Sequence, residues 1–318
     1  MARRKQASEG LVAEQLALYG KAGLQAAETY EPSAAVTLYA GECMELLAQI
    51  PDEAARLVVT SPPYNIGKPY EKTLDIETYL EQQGRVIGEC VRILAADGSI
   101  CWQVGNHVRK GQVYPLDILL YPHFKQHRLK MRNRIIWHFE HGLHCSRRFS
   151  GRYETIMWFT KTDDYVFNLD PVRVPQKYPG KRHHKGPRAG QYSCSPKGKN
   201  PGDLWVIPNV KHNHIEKTIH PCQFPVELIE RLVLSMTNED DLVVAPFIGV
   251  GSTAVAALLR NRRSAGAEIV DEYVEIARER VRLASIGMVR TRPMGKPVYV
   301  PDPNSKLVRR EDGPESAG

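Results

Sequence analysis

The chain has 318 residues, of which 42% are hydrophobic, and it carries a formal net charge of +7 at neutral pH. This length can form one large α/β domain with an inserted or appended segment. No apolar run approaches the roughly eighteen residues of a membrane-spanning helix, and the first residues lack the apolar core of a signal peptide. The sequence therefore predicts a cytoplasmic protein with no membrane partner.

The cysteine and histidine patterns favour neither a disulfide framework nor a metal site. The six cysteines, at positions 43, 90, 101, 145, 194 and 222, include no Cys-x-x-Cys pair. Such a spacing supports neither a disulfide framework nor a zinc site. The pairs His183-His184 and His212-x-His214 could bind a metal, but histidines in basic loops are more often exposed or contact phosphate. We expect no metal.

Positive charge is concentrated in one part of the chain. Between Arg173 and Lys217 there are ten lysine and arginine residues against Asp203 and Glu216, a local net charge of +8. A block of this kind is typical of a surface that binds a polyanion. A solvated basic loop would give the same pattern, so the charge alone leaves both interpretations open.

The first half of the chain alternates between helix and strand patterns, as a parallel α/β sheet does. An N-terminal helix is predicted at residues 9–29, outside the main domain. The next predicted elements are, in chain order, strands at 35–39 and 55–60, a helix at 76–94, a strand at 99–104, a helix at 115–126, and strands at 134–139 and 154–160.

The pattern is interrupted between residues 170 and 214, which are rich in Pro, Gly, Lys, Arg, His and Ser. An irregular stretch of about forty residues inside a domain is usually functional or disordered. The tail beyond residue 286 is predicted to be mostly disordered. Between these two segments the regular pattern resumes, with a helix at 223–236, a strand at 241–245, a helix at 253–260, a strand at 264–268 and a helix at 271–283.

A glycine loop, Pro-Phe-Ile-Gly-Val-Gly-Ser at 246–252, follows one predicted strand and precedes a helix. Gly249 and Gly251 let a ligand approach the backbone. Glu268 ends the next strand about twenty residues later, where a carboxylate can bind ribose hydroxyls. The pattern indicates a nucleoside site at the carboxyl ends of parallel strands. The full dinucleotide fingerprint is missing, and a helix-entry turn without a ligand is the alternative.

A second motif, Ser61-Pro62-Pro63-Tyr64, follows the apolar strand at 55–60. Such a turn can present two hydrogen-bond acceptors and an aromatic face, which are the groups that could hold an exocyclic base amine while its nitrogen becomes tetrahedral. The Ser61 hydroxyl and the Pro62 carbonyl can be these acceptors, and Pro63 stiffens the turn. Tyr64 offers a face on which a base flipped out of the duplex can stack. The alternative is a plain Pro-Pro turn that closes a strand.

In this order, the two motifs resemble the permuted beta class of S-adenosylmethionine-dependent DNA amino-methyltransferases. Residues 38–47, 97–106, 148–157 and 216–225 resemble further family segments, and the resemblance covers roughly residues 35–283. It implies an α/β fold with a mostly parallel, Rossmann-like methyltransferase sheet and an inserted basic target-recognition region. The implied division is a helical extension (1–30), a catalytic half (31–168), a target-recognition region (169–215), a cofactor-binding half (216–285) and a tail (286–318).

The same resemblance implies the site residues. Ser61, Pro62, Pro63 and Tyr64 are implied to be catalytic. Residues implied to bind S-adenosylmethionine are Glu42, Lys217, Thr218, His220, Gln223, Pro246, Phe247, Gly249, Gly251, Ser252 and Glu268. Residues predicted to contact double-stranded DNA are Arg173, Lys177, Lys181, Arg182, Lys185, Arg188, Lys197 and Lys199.

Two departures from the family pattern affect the predicted activity. Ala245 replaces the usual aspartate before the glycine loop, which leaves open a DNA-binding protein that cannot turn over. Ser61 replaces the aspartate of many adenine-modifying members and is common among enzymes that act on the 4-amino group of cytosine. The following Asn65-Ile-Gly-Lys segment resembles adenine-modifying members instead. We expect methylation of adenine N6, with cytosine N4 as the alternative.

The partner predictions are less constrained by the residues. Many family members dimerise, and the predicted helix at 9–29 is a candidate contact, although it could equally pack on its own core. A cognate restriction endonuclease is a possible partner. A methyltransferase that acts on RNA or protein is a further alternative, because a basic insertion favours nucleic acid but does not distinguish DNA from RNA.

Overall fold

The computed structural model describes residues 24–65, 74–142 and 144–302. Most of its strands form one eight-stranded sheet, and two more form a separate hairpin. In chain order the strands are β1 (Val36–Ala40), β2 (Ala55–Thr60), β3 (Leu94–Val104), β4 (Asn106–Arg109), β5 (Gln112–Pro115), β6 (Lys130–His138), β7 (Tyr153–Thr160), β8 (Leu204–Val206), β9 (Leu242–Ala245) and β10 (Arg263–Glu268).

The large sheet is mostly parallel. Its strand order is β1-β10-β9-β2-β3-β7-β6-β8, and β7 runs antiparallel to both of its neighbours. The other neighbouring pairs are parallel. The hairpin consists of β4 and β5 and turns at Lys110-Gly111, where both residues have positive φ. Such a turn matches the twist of a hairpin.

Helices cover both faces of the sheet. In chain order they are α1 (Cys43–Gln49), α2 (Ile76–Ile93), α3 (Leu116–Gln126), α4 (Val226–Met236), α5 (Ser252–Leu258) and α6 (Asp271–Ser285). The first three pack on one face and the last three on the other. The strand β2 has apolar side chains on both faces: Val58 packs towards α1 and α2, whereas Leu57 and Val59 pack towards α4 and α5. A sheet covered on both faces produces such continuous apolar runs.

The strand order reverses between β9 and β2, and this reversal creates the main crevice. From β9 the chain continues through α5 to β10 on one side, whereas from β2 it continues through α2 to β3 on the other. The two loops that follow β9 and β2 therefore separate above the carboxyl ends of adjacent strands. Ligands of open α/β sheets bind at such a topological switch point.

Most predicted elements are present, with boundaries shifted by a few residues, but four were missed. These are the short helix α1, the hairpin of β4 and β5, and the edge strand β8, which lies inside the segment predicted to be irregular. The strand at 99–104 begins five residues earlier than predicted, at Leu94, because the helix before it ends at Ile93. Asp97-Gly98, a pair that is typical of a helix stop, therefore lies within the strand.

The N-terminal helix prediction is wrong for residues 24–29. Ala27 lies beside β1: its N–H donates to the Val36 carbonyl at 2.9 Å, and its carbonyl accepts from Leu38 at 2.8 Å. The outer edge of β1, which faces no other strand of the described sheet, thus pairs with this segment at Ala27. The rest of the predicted helix, residues 9–23, lies outside the described residues, as do residues 66–68 of the segment that resembles adenine-modifying enzymes.

The first part of the predicted disordered tail is ordered. The Arg292 backbone N–H donates to the Glu216 carboxylate at 2.9 Å, and the Arg292 side chain forms an ion pair with Glu227 of α4. The Gly295 N–H also donates to Glu227, at 2.9 Å. The buried carboxylates of Glu216 and Glu227 need hydrogen-bond donors, and this segment provides them. The pattern of apolar residues in the sequence does not show such contacts. Residues 303–318 lie outside the described residues.

The basic segment folds back on itself as an irregular ribbon. Val174 and Lys199 exchange two backbone hydrogen bonds of 2.9 Å, and His183 and Gly190 are joined nearer the tip. After this ribbon (residues 173–199) the chain forms β8, which adds to the edge of the sheet beside β6, with Trp205 opposite Trp137. Within the described residues, no helix is long and apolar enough to cross a membrane.

Candidate active site

A cavity of about 830 Å³ lies at the switch point, above the carboxyl ends of β1, β10, β9 and β2. Its volume is in the range of pockets that hold a small molecule of cofactor size. Both sequence motifs line it: the Ser-Pro-Pro-Tyr turn from β2 and the glycine loop from β9. Two motifs separated by nearly two hundred residues in the chain therefore form the walls of one cavity.

A side chain of β2 connects the two motifs directly. The Thr60 hydroxyl oxygen accepts a hydrogen bond from the Phe247 N–H at 3.3 Å and lies 3.5 Å from the Phe247 carbonyl. Val58 of β2 is paired with Val244 of β9 just below this contact. The register of two central strands and this hydroxyl thus fix the position of the turn relative to the loop.

The turn holds a chain of polar side chains behind the cavity. The Ser61 hydroxyl is 3.0 Å from the Tyr64 hydroxyl oxygen, and the Tyr64 hydroxyl donates to the Glu154 carboxylate at 3.2 Å. The Gln103 amide donates to the same carboxylate oxygen. Glu154 comes from β7 and Gln103 from β3, so two further strands of the sheet hold the tyrosine.

Burial dominates the electrostatics of this chain. Removal from water raises the pKa of Glu154 to about 6, although hydrogen bonds from Tyr64 and Gln103 and the charge of Lys211 oppose the shift. Burial also raises the pKa of Tyr64 well above its usual value, and the Glu154 charge adds to this effect. At neutral pH Tyr64 keeps its proton and Glu154 is mostly ionised.

The two glycines of the loop have different tasks. Both have left-handed backbones, with φ of +53° at Gly249 and +78° at Gly251. A Cβ at Gly249 would face the His220 ring at 3.5 Å, at the edge of the cavity. A Cβ at Gly251 would lie 2.9 Å from Cβ of Ala277 on α6. Gly251 does not line the cavity, and it lets the loop pack closely on α6.

Glu268 ends β10 beside the glycine loop and lines the cavity. Its carboxylate accepts the Val270 N–H at 2.9 Å. Burial raises its pKa, opposed by backbone hydrogen bonds from Val270, Ile269 and Gly249. Its carboxylate can accept hydrogen bonds from two adjacent hydroxyls, as on a ribose.

The segment at 216–225 closes one side of the cavity through internal hydrogen bonds. Gln223 lines the cavity, and its amide oxygen accepts from the Thr218 hydroxyl at 2.8 Å while its amide nitrogen donates to the Glu216 carbonyl at 2.7 Å. Lys217 donates to the His220 carbonyl at 2.8 Å. Lys217 and Thr218 do not line the cavity, so the structure places them as supports of this segment.

His220 presents a neutral ring to the loop. Burial, with smaller effects from Lys217 and Arg280, lowers its pKa to about 4. The Cys222 N–H donates to Nδ1 of His220 at 3.2 Å, which places the ring proton on Nε2, the atom nearest Gly249. The histidine can therefore donate a hydrogen bond towards the cavity without adding a charge.

Several site residues were missed by the sequence analysis. Arg280 of α6 donates to the Val250 carbonyl at 2.6 Å and the Ser252 hydroxyl at 3.1 Å, and burial lowers its pKa to about 10. Glu154 lay within a segment matched to the family but was not singled out. Thr253 also lines the cavity, as do side chains of α2 such as Gln83. A motif search finds loop residues, whereas these side chains come from neighbouring helices and strands.

Ala245 does not leave a gap in the cavity. It is fully buried in an apolar cluster with Val36, Leu38 and Ile248, and it is not a lining residue. The cavity is lined by most of the predicted catalytic and cofactor-binding residues: Glu42, Ser61, Pro62, Pro63, Tyr64, His220, Gln223, Pro246, Phe247, Gly249, Ser252 and Glu268. The substitution that favoured an inactive protein is therefore compatible with an intact cavity.

Several charged side chains of the basic ribbon have partners within the ribbon or beside it. Arg173 and Lys197 are both ion-paired with Asp170, and Arg173 also donates to the Gly198 carbonyl at 3.1 Å. Arg182 lies over the Tyr192 ring, 4.0 Å from its centre. These contacts stabilise the ribbon, and DNA contact by the three residues stays a prediction. Lys177, Lys181, Lys185, Arg188 and Lys199 are exposed along the ribbon, as are Arg182 and Lys197, and Lys177 lies 5.4 Å from the centre of the Tyr178 ring.

Comparison with known proteins gives the family. Residues 55–279, more than half of the chain, match the N6/N4 methyltransferase family, described as DNA methylase. The chain belongs to this family. It is 52% identical over 241 residues to the type II methyltransferase M.BglII from Bacillus subtilis, an alignment that covers 76% of this chain and 67% of that protein. The recognition made from the motifs is confirmed.

Solved structures confirm the fold of this methyltransferase. The cytosine-N4-specific PvuII DNA methyltransferase shares 21% identity with a TM-score of 0.63, over 84% of this chain and 96% of that one. TTHA0409 from Thermus thermophilus, complexed with S-adenosyl-L-methionine, shares 27% identity with a TM-score of 0.57, over 82% and 99% of the two chains. The family uses S-adenosylmethionine as its methyl donor.

The packing of Gly251 gives a prediction about stability. Gly251→Ala combines left-handed strain, about 1–2 kcal/mol, with a steric clash against Ala277 that should cost a further ~1–3 kcal/mol. Gly111→Ala is the matched control, because Gly111 has φ of +81° but nothing lies within 4 Å of the position that a Cβ would take there. Urea unfolding should show a larger loss for Gly251→Ala. Equal losses would mean that contact with α6 is unimportant.

Proposed function

We propose that the chain transfers a methyl group from S-adenosylmethionine to the exocyclic amine of a base in duplex DNA, within the cavity at the switch point. The proposal depends mainly on one observation: Thr60 and the β2–β9 register place the Ser-Pro-Pro-Tyr turn and the glycine loop on the same cavity. A donor on the loop and an acceptor amine on the turn would then meet without a further rearrangement of the sheet.

We assign the cofactor to the loop side of the cavity. Glu268 would bind ribose hydroxyls, and Glu42, at the start of α1, would reach the adenine end. Gly249 permits close approach of the backbone, and His220 offers a neutral N–H donor. When bound, the cofactor supplies an electrophilic methyl group on a sulfonium. The buried Arg280 beneath the loop would keep Val250 and Ser252 in place.

We assign the target base to the turn side. The base must leave the duplex, because its amine is not accessible to the cavity in a stacked pair. Tyr64 would stack on the flipped base, and the Ser61 oxygen and Pro62 carbonyl would accept its two N–H groups. This geometry would direct the nitrogen lone pair towards the methyl donor, and the transfer would leave S-adenosylhomocysteine and release one amine proton to water.

The proposed target base depends on two residues of the turn, Ser61 and Asn65. The Asn65 side chain, which supported adenine, bonds the backbone of Leu74, accepting from its N–H at 2.6 Å and donating to its carbonyl at 2.9 Å. The Asn65 side chain thus has a structural partner, and its presence does not by itself distinguish adenine from cytosine. Ser61, a residue common in cytosine enzymes, remains. We therefore propose cytosine N4, with adenine N6 as the second candidate because of the resemblance of residues 64–68 to adenine-modifying members.

We propose that the basic ribbon is the target-recognition region and that the methyltransferase acts beside an endonuclease of the same specificity. The charge of the ribbon and its attachment to the sheet edge through β8 support the first part. The likeness to a type II methyltransferase supports the second. Homodimer formation stays a prediction, since its candidate segment at 9–23 lies outside the described residues.

Cofactor binding is tested by Gly249→Val. A β-branched side chain at φ of +53° is strained, and it would extend towards His220 across the cavity edge. We expect the dissociation constant for S-adenosylmethionine, measured by calorimetry, to rise at least about tenfold, or ~1.4 kcal/mol. The melting temperature without cofactor shows whether the variant is folded. Binding equal to that of the parent in a folded variant would exclude this placement.

Catalysis by the turn is tested by two variants measured in single turnover. Tyr64→Ala removes a stacking surface worth about 1–3 kcal/mol, so methyl transfer should slow by roughly ten- to a hundredfold. Ser61→Ala should slow it as well, while cofactor affinity stays near that of the parent in both. Unchanged rates in both variants would contradict the assignment.

The DNA contact is tested by salt dependence. Lys185→Ala and Arg188→Ala should each lower the slope of log affinity against log salt by about one if the side chain contacts a phosphate. Arg282→Ala is a suitable control, because Arg282 lies on α6 and pairs with Glu279. If a variant that carries both Lys185→Ala and Arg188→Ala has the same slope as the control, the ribbon is not the DNA-binding element.

The target base is tested by product analysis. Plasmid DNA is incubated with the protein and cofactor and digested to nucleosides, and the modified nucleoside is identified by mass spectrometry. We expect N4-methylcytosine. Finding N6-methyladenine would make the second candidate correct and leave the fold, cofactor site and turn as described. Methylated RNA or protein in parallel reactions, with unmodified DNA, would contradict the proposed function itself.

A further inference from the structure

Behind the Ser-Pro-Pro-Tyr turn lies a carboxyl group that the proposed function leaves without a task. We propose that Glu154 is a positioning residue that sets the direction of the hydroxyl protons in the turn, so that the Ser61 oxygen presents a lone pair to the target amine. This inference depends on the proposed role of the turn.

The geometry restricts what Glu154 can touch. Its carboxylate is 3.2 Å from the Tyr64 hydroxyl and also receives the Gln103 amide. A Cβ at Gly105 would lie 3.1 Å from the Tyr64 ring and 3.3 Å from the carboxylate. Glu154 does not line the cavity. It therefore acts on the base only through Tyr64 and Ser61.

The direction of the hydrogen bonds follows from where the protons are. An ionised carboxylate has no proton, so Tyr64 must donate to Glu154. The Tyr64 oxygen then accepts the Ser61 proton across the 3.0 Å contact between the two hydroxyls. With its proton directed away from the cavity, the Ser61 oxygen offers lone pairs to an amine N–H.

Protonation of Glu154 permits the opposite direction. The carboxylic acid can donate to Tyr64, Tyr64 can donate to Ser61, and Ser61 then directs its own proton towards the cavity. A proton in that direction opposes the N–H group of a base amine, which removes one of the two acceptors in the turn. The charge state of Glu154 therefore selects whether Ser61 can hold the substrate.

The groups around the Glu154 carboxylate have opposing effects on its pKa. The neutral Gln103 faces it from β3, Tyr64 faces it from the turn, and Lys211 acts on it from the segment before α4. Cys222 adds an interaction with Tyr64. Burial is the largest effect and raises the pKa of Glu154 to about 6. Lowering the pH through this value converts the ionised group, which favours the active direction, into the acid.

A merely structural role makes a different prediction. If Glu154 only held the Tyr64 ring in place, a neutral side chain of the same shape would serve, and methyl transfer would not titrate with this group. Glu154→Gln keeps the shape and removes the titration. Tyr64→Phe keeps the stacking ring and removes the link between Glu154 and Ser61.

The test measures single-turnover methyl transfer from pH 5 to 8 with saturating cofactor and plasmid DNA. The parent rate should fall about tenfold per pH unit below about 6 and level off above it. Glu154→Gln, whose amide oxygen still accepts from Tyr64, and Tyr64→Phe should both lose this dependence, and Tyr64→Phe should be about tenfold slower at pH 8, with cofactor affinity unchanged. Glu279→Gln, an exposed carboxylate on α6, is the control and should follow the parent.

The variants distinguish failure of the positioning role of Glu154 from failure of the proposed role of the turn. If Glu154→Gln keeps the parent rate and pH profile while Ser61→Ala is slow, the positioning role is wrong and the proposed function stands. If Ser61→Ala is also as fast as the parent, the proposed role of the turn fails with it, whereas absence of DNA methylation activity in the parent would contradict the proposed function. Should Glu154→Gln not fold, Tyr64→Phe decides alone: a retained low-pH fall overturns the inference.

Discussion

The pairing of β2 with β9 is the constraint on which the rest of the site depends. Val58 opposite Val244 fixes the register, and the Thr60 hydroxyl joins the end of one strand to Phe247 at the start of the glycine loop. Because the chain leaves these strands in opposite directions, the loops above them separate into a crevice. A shift of register by one residue would reverse every side chain on β2 and lose this contact.

The sequence was sufficient for the motifs and for most of the regular elements. The continuous apolar run at 55–60 corresponds to a strand buried on both faces. The amphipathic repeat at 76–94 corresponds to a helix buried on one face. Both patterns can be recognised from the spacing of apolar residues. Strand order could not be read from them, since pairing depends on contacts between distant residues. The edge strand β8 has three residues and one buried side chain, Trp205, too short a pattern to separate from a loop.

Site residues that lie on the two loops could be predicted from the sequence, whereas those on neighbouring strands and helices could not. The turn and glycine loop have local signatures, whereas Glu154 and Arg280 are ordinary charged residues whose role appears only when strands and helices bring them to the loops. Lys217 and Arg173 show the converse. Both are basic residues that were predicted to bind a ligand, and the structure adds a local partner that the sequence did not indicate: the His220 carbonyl for Lys217 and Asp170 for Arg173.

Buried charge is a recurring feature around this cavity. Glu154, Glu268 and Arg280 all have pKa values shifted towards the neutral form by burial, so each costs folding free energy and is retained only with partners that compensate part of it. All three lie at or directly behind the two loops. Such a concentration of perturbed groups is typical of a functional site, and it agrees with the proposed division of the cavity between cofactor and base.

The most direct test of the central claim is a structure of the protein with S-adenosylhomocysteine and a duplex that contains its mapped methylation site. We predict a flipped base stacked on Tyr64, with its exocyclic nitrogen about 3 Å from the Ser61 oxygen and the Pro62 carbonyl. The cofactor sulfur should face that nitrogen from the side of Gly249 and Glu268. A base or a cofactor bound outside the cavity between β2 and β9 would contradict the account.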